Sequence, residues 1–306
     1  MEARRYVPAV ETHLIRSAHV QQIFRIQVMR PTMRKGETSR FPVVYATDGN
    51  WTFDALKGIS YSMQLSGRDA PRFILVGIGY PSDCPEAGAL LRGRDMMFPG
   101  YPKFSTTPPP LDGVLVADEG TKDLYGAEEF QRFIETELVQ FIDDKYESIP
   151  TDRTYFGHSL GGGFGLYTLF TRPELFKNYI ISSPGLFFHG ETSAGIRYDN
   201  YDFVLGYARS FIESGRNVGG IKVYLSAGSE EEFESEYAQW RLTSSTRRMA
   251  ETMNSAALPG LELFTEVFPG ETHMTVWPMA FIHGVQAIFG IGAWRTAAEA
   301  AAGKRC

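Results

Sequence analysis

Three observations predict an α/β fold with a mostly parallel central sheet and helices on both faces. Short runs rich in Val, Ile, Phe and Tyr recur along the chain, most are continuous rather than alternating, and amphipathic helical stretches separate them. Continuous apolar strands suit a sheet whose two faces are both covered. With 306 residues, 43% of them hydrophobic, the chain can bury one large core, so 1–306 is read as a single domain.

The predicted strands, in order, are Ile23 to Met29, Phe41 to Ala46, Phe73 to Ile78, Thr154 to Phe156, Tyr179 to Ser182, Lys222 to Ala227 and Leu261 to Phe268. The clearest predicted helix runs from Ala127 to Lys145. There Phe130, Phe133, Ile134, Leu138, Phe141 and Ile142 recur at three- and four-residue spacing, with Glu128, Glu129, Glu135 and Asp143 opposite. From Met96 to Lys122, Pro99, Pro102, Pro108, Pro109 and Pro110 remove backbone donors and fix φ. That stretch reads as a long loop, either a plain insertion or a substrate-facing flap. Residues 296–306 read as a frayed tail.

Composition narrows the partners. A formal net charge of −6 argues against nucleic acid, whose phosphates need a basic face. No apolar run is long enough to cross a bilayer, and the first residues contain no apolar signal core. The two cysteines, Cys84 and Cys306, read as free thiols of a reducing compartment. A cytoplasmic location is expected, and the oligomeric state is not readable.

The strongest local signal is Gly157-His158-Ser159-Leu160-Gly161, a G-x-S-x-G motif. RTYF leads into it as a strand, and GGGFGLYTLF leads out as a helix. A serine on a strand-to-helix corner is the nucleophile elbow of the α/β-hydrolase fold. The glycines leave room that a Cβ would fill. A serine hydroxyl needs a base to become nucleophilic, and the Leu160 N–H, at the head of the helix, would stabilise an oxyanion. The alternative is a serine that merely caps the helix.

The chain holds six histidines. His13 and His19 come too early, His158 adjoins the serine and should diverge from it, His189 precedes the expected position, and His283 fits a packed helix. His273, in GETHMTVWP directly after the last strand, fits the order nucleophile, acid, histidine. The acid should lie in GSEEEFESE, where Glu230, Glu231, Glu232, Glu234 and Glu236 compete. Position favours Glu231, with a Ser–His dyad as the alternative if none reaches His273. Such an acid fixes the imidazole tautomer and stabilises the imidazolium. The second oxyanion donor should follow an early strand. In Asp48-Gly49-Asn50-Trp51 the Asn50 N–H is the first choice and that of Trp51 the next.

Taken together, VVYATDGNWTFD, FILVGIGYP, RGRDMMFP, GHSLGGGFGLYTLF and GETHMTVWP resemble the "Putative esterase" family of α/β-hydrolases, which includes esterase D, feruloyl esterases and siderophore esterases. The resemblance runs from about Phe41 to Phe289 and is strongest to the siderophore (enterobactin-type) branch. It implies that Asp48-Gly49-Asn50, Arg94-Asp95 with Pro99, and Gly228-Ser229-Glu230-Glu231 correspond to segments of that branch, which supports Glu231. It also implies that Arg94 lies near the cleft, where a cation would meet an anionic substrate, unless it pairs with Asp95. Trp277 is assigned to the substrate cleft with it. RDMMFP lacks the usual Thr before Pro, and the proline-rich stretch is unusual; both bear on the substrate rather than the chemistry.

The expected reaction is hydrolysis of a small-molecule ester or lactone through an acyl-enzyme, with no metal or organic cofactor implied. Siderophore-type or other aromatic esters are the expected substrates. The competing readings are acyl transfer, a feruloyl- or S-formylglutathione-type esterase, and a non-catalytic binding module of the same fold.

Overall fold

The computed structural model describes residues 9–33, 38–81, 85–99, 126–186, 190–191, 197–198, 200–217, 219–235, 237–256 and 258–292. Most of the Met96 to Lys122 stretch, the 296–306 tail, Cys84, His189, Glu236 and Cys306 lie outside them.

The chain begins with β1 (Val10–Arg16), β2 (Ile23–Met29), β3 (Phe41–Ala46), α1 (Gly49–Ser66), β4 (Ile74–Gly79) and α2 (Pro85–Met96). Next come α3 (Ala127–Phe133) and α4 (Val139–Lys145), joined by a π-helical turn (Ile134–Leu138), then β5 (Ser148–His158), α5 (Leu160–Thr171) and β6 (Asn178–Ser182). A two-residue hairpin, β7 (Gly190–Glu191) and β8 (Arg197–Tyr198), stands apart from the sheet. The chain continues through α6 (Tyr201–Glu213), β9 (Ile221–Gly228), α7 (Leu242–Ser255), β10 (Leu261–Phe268) and α8 (Val276–Ile288).

Eight strands form one sheet in the order β1-β2-β4-β3-β5-β6-β9-β10. The pairs β1–β2 and β2–β4 are antiparallel, and every pair from β4–β3 onward is parallel. Side chains alternate across a sheet, so neighbouring rungs feed opposite faces. Tyr45, Tyr155, Tyr179, Val223 and Leu263 stand in register and pack into the core that includes the α3–α6 side chains. The next rung, Ala46, Phe156, Ile180, Tyr224 and Phe264, packs on the opposite side with side chains of α1 and α8.

Three predicted strands match residue for residue, three are extended at one or both ends, and the predicted Phe73–Ile78 strand is shifted by one residue to Ile74–Gly79. Strand β1 was not predicted. It lies at the sheet edge, its side chains alternate between half-buried and exposed, and an edge strand needs no continuous apolar run. Strand β5 begins six residues before the predicted Thr154, through Pro150 and the partly exposed Asp152, which broke the apolar signal. The predicted Ala127–Lys145 helix forms over those residues, with its centre loosened into the π turn and Phe130, Phe133, Ile134, Leu138 and Ile142 buried. Among the described residues, no helix is long and apolar enough to cross a membrane.

Candidate active site

The carboxyl ends of β5, β6, β9 and β10 lie side by side, and the loops leaving them hold the candidate residues. Ser159 sits between β5 and α5 at φ 56°, ψ −118°. Positive φ is costly for a residue with a Cβ and is commonly retained at functional corners. Hydrogen bonds hold the corner: Ser159 N–H donates to Ser182 O (3.0 Å), and Ser159 O accepts from Gly163 N–H (2.9 Å) and Gly185 N–H (2.8 Å). A Cβ at Gly157 would collide with the Gly161 carbonyl, and one at Gly161 would stand 2.5 Å from Thr47 Oγ1. Glycine at both places lets the turn close.

Glu231 lies on a short 3-10 turn (Glu230–Glu232) after β9 and is fully buried. Its Oε2 lies 3.1 Å from His273 Nδ1, and His273 is only 3% exposed. Its Oε1 accepts the Gly228 N–H at 2.7 Å and the Ser183 hydroxyl at 2.5 Å. A buried carboxylate needs such partners, because unpaired charge away from water is costly. A carboxylate only accepts, so Nδ1 of His273 must carry the proton there, which leaves Nε2 as the basic nitrogen. Glu234 Oε2 accepts the His273 backbone N–H at 2.7 Å and thereby ties down the loop rather than the ring.

The His273 ring lies between two others, His158 at 4.5 Å and Tyr237 at 4.3 Å between centroids. His158 immediately precedes Ser159, so the imidazole of the late loop reaches the serine corner. His158 does not simply diverge, as its position suggested: its ring packs on His273, and its Nδ1 meets Ser182 Oγ at 3.1 Å. Burial, then the nearby His273 and Arg92, holds its pKa well below the usual histidine range, so it stays neutral.

Leu160 N–H is the first of α5, and the first N–H groups of a helix have no intrahelical acceptor. Asn50 lies in the first turn of α1, and its side chain is clamped by Tyr80: Nδ2 donates to Tyr80 O (3.0 Å), and Oδ1 accepts Tyr80 N–H (2.6 Å). Trp51 N–H donates to Asp48 O at 2.9 Å, which removes the second choice of oxyanion donor. The approach of Thr47 and Asp48 to Gly161 brings this loop against the serine turn.

Of the two alternatives for Arg94, the structure shows the pairing with Asp95. Its Nε and Nη2 pair with Asp95 at 2.5 and 2.9 Å, and Nη1 contacts Gln22 Oε1 at 3.4 Å. A buried carboxylate such as Asp95 is costly without a charged partner, and the neighbouring guanidinium supplies one. The cation beside the serine corner is Arg92, two residues earlier. It forms a fork to Asp48 (2.7 and 2.9 Å) and lies 5.5 Å from the centre of the half-exposed Trp51 ring. Trp277 is partly buried and packs against the core beneath α8. Among the described residues, no three His, Cys, Asp or Glu side chains are grouped to hold a metal ion.

Sequence reading missed Arg92, Ser183 and Tyr237. Arg92 stands in the same RGRD segment as Arg94, and spacing alone cannot choose between them. Ser183 and Tyr237 carry no motif.

The sheet order and the serine corner define an α/β-hydrolase. Residues 112–288 match the family described as "Putative esterase". The chain belongs to that family, and so to the ester hydrolases. It is 28% identical over 279 residues to the ferri-bacillibactin esterase BesA of Bacillus subtilis, covering 89% of this chain and 87% of BesA. It is 27% identical to the siderophore triacetylfusarinine C esterase of Aspergillus fumigatus, covering 81% of each. In fold it is similar to the BES protein from Bacillus cereus (TM-score 0.71, 24% identity, 94% and 97% of the two chains covered). It is similar also to the siderophore hydrolase EstA from Aspergillus nidulans (TM-score 0.71, 22% identity, 92% and 94% covered).

Proposed function

We propose that this chain is a single-domain, cytoplasmic serine esterase that opens siderophore-type or other aromatic esters and lactones through an acyl-enzyme. Ser159 Oγ attacks the ester carbonyl while His273 Nε2 takes its proton. Glu231 holds Nδ1–H and stabilises the imidazolium as it forms. The N–H groups of Leu160 and Asn50 receive the oxyanion. His273 then gives its proton to the leaving alkoxide, and water, activated by the same imidazole, releases the acid.

The observation that carries this reading is the buried Glu231–His273 bond of 3.1 Å, with the imidazole packed on the residue next to a serine at positive φ. The siderophore substrate is supported by two relatives named for siderophore esters. Arg92, forked to Asp48 beside the serine corner, is the cation placed to meet an anionic ring or carboxylate, and Trp51 is the flat surface beside it.

Two assays test the proposal. A fluorophosphonate should label Ser159, and Ser159→Ala should lose both labelling and turnover of p-nitrophenyl esters while keeping its circular dichroism. Full turnover in that variant would sink the mechanism. Purified protein should also release catechol-bearing fragments from a triscatecholate lactone faster than it cleaves feruloyl esters or S-formylglutathione; the reverse order would sink the substrate.

A further inference from the structure

The loop after β6 grips both the serine and the acid. Ser182 O and Gly185 N–H flank it and hold the Ser159 main chain on two sides. Between them, Ser183 is completely buried, at φ 42°. Its N–H donates to Ser226 O at 2.7 Å, and its hydroxyl donates to Glu231 Oε1 at 2.5 Å. A serine at positive φ carries strain that glycine would not, and here its hydroxyl meets the acid.

We propose that Ser183 is a positioning residue that acts through Glu231, an inference resting on the reading of Ser159, His273 and Glu231 as a triad. A glutamate has one more rotatable bond than an aspartate, so its carboxylate plane must be fixed before one oxygen can serve the imidazole. Ser183 Oγ and Gly228 N–H, both on Oε1, fix that plane and leave Oε2 to His273. The hydroxyl must point its proton at Glu231, because the carboxylate can only accept. Its positive end also offsets part of the negative charge that holds the imidazolium. Ser183 therefore sets both the direction and the strength of the Glu231–His273 interaction.

The test uses Ser183→Gly and Ser183→Ala in the full chain, with rates normalised to sites titrated by a fluorophosphonate. Loss of one hydrogen bond to a charged group should lower kcat about ten- to a hundredfold per titrated site, with KM within about twofold of wild type. The acid limb of the kcat/KM profile should move to higher pH by roughly half a unit, because the imidazolium then faces a less neutralised carboxylate. Ser183→Gly relieves the positive φ while removing one partner of the buried carboxylate, so its Tm should lie close to wild type and above that of Ser183→Ala. Slower turnover in an equally stable protein separates positioning from scaffolding. Wild-type kcat and an unmoved acid limb in Ser183→Gly would overturn the inference while leaving Ser159 in place. So would a loss accounted for entirely by fewer titratable sites. Retained activity in Ser159→Ala would remove the triad and this inference with it.

Discussion

Two carboxylates in this molecule, Glu231 and Asp95, are shut off from water to the same degree, both at 0% exposure, yet they are held differently. Asp95 faces a guanidinium fork from Arg94 and the Tyr80 hydroxyl at 3.1 Å. Its charge is matched permanently, so nothing in its surroundings gains when a proton moves. Glu231 faces a backbone N–H, a hydroxyl and an imidazole, none of which need carry charge at rest. Its charge is matched only when the imidazole becomes protonated, the step that the proposed mechanism requires of it. Burial alone therefore does not mark an active carboxylate. The partner that can change its charge does.

The contrast can be broken most strongly at Glu231. Glu231→Gln should lower kcat by about a hundred- to ten-thousandfold, as the imidazole loses its orienting anion. Glu230→Gln and Glu232→Gln should remain near wild type in the same p-nitrophenyl ester assay, and equal losses at all three would refute the assignment. Next is Asp95→Ala, which leaves the part-buried Arg94 charge without its carboxylate. It should cost about 3–5 kcal/mol of stability by urea titration, while kcat per titrated site stays close to wild type. A catalytic collapse in a stable Asp95 variant would erase the distinction. Arg92→Ala should raise KM roughly tenfold for an anionic aryl ester, in line with loss of one charge-assisted contact, and leave a neutral acetate ester little changed.

The smallest effect concerns His158, whose folded pKa lies well below the ordinary value. Below about pH 6.5 the unfolded chain takes up a proton there that the folded chain refuses. Stability should therefore fall with decreasing pH at up to roughly 1.4 kcal/mol per unit. His158→Asn should flatten that slope; an unchanged slope in urea melts at pH 7 and pH 5 would show that another group causes it.

Much of this was legible in the residues. The parallel strands announced themselves because both faces are apolar, and Ser159 because its corner demands glycine at 157 and 161. Chain order pointed to His273 and position to Glu231, within an acidic run whose other members the sequence could not dismiss, and the structure brings those two side chains together at 3.1 Å. Strand β1 was hidden by its half-exposed edge. That Arg94 turns to Asp95 and Arg92 to Asp48 was hidden because both arginines stand in one short segment. Ser183 was invisible for a similar reason: its role depends on a residue 48 positions away.

Strands β9 and β10 finish level, with Gly228 opposite Phe268. The acid leaves from one and the histidine from the other, so a slip of one residue between these strands would displace one end by about 3.3 Å and turn its side chains to the opposite face. The tolerance of the site to insertion is thus set by the strand register: one added residue inside either strand would separate Glu231 from His273 more surely than several placed between α7 and β10, beyond the residues that hold the pair.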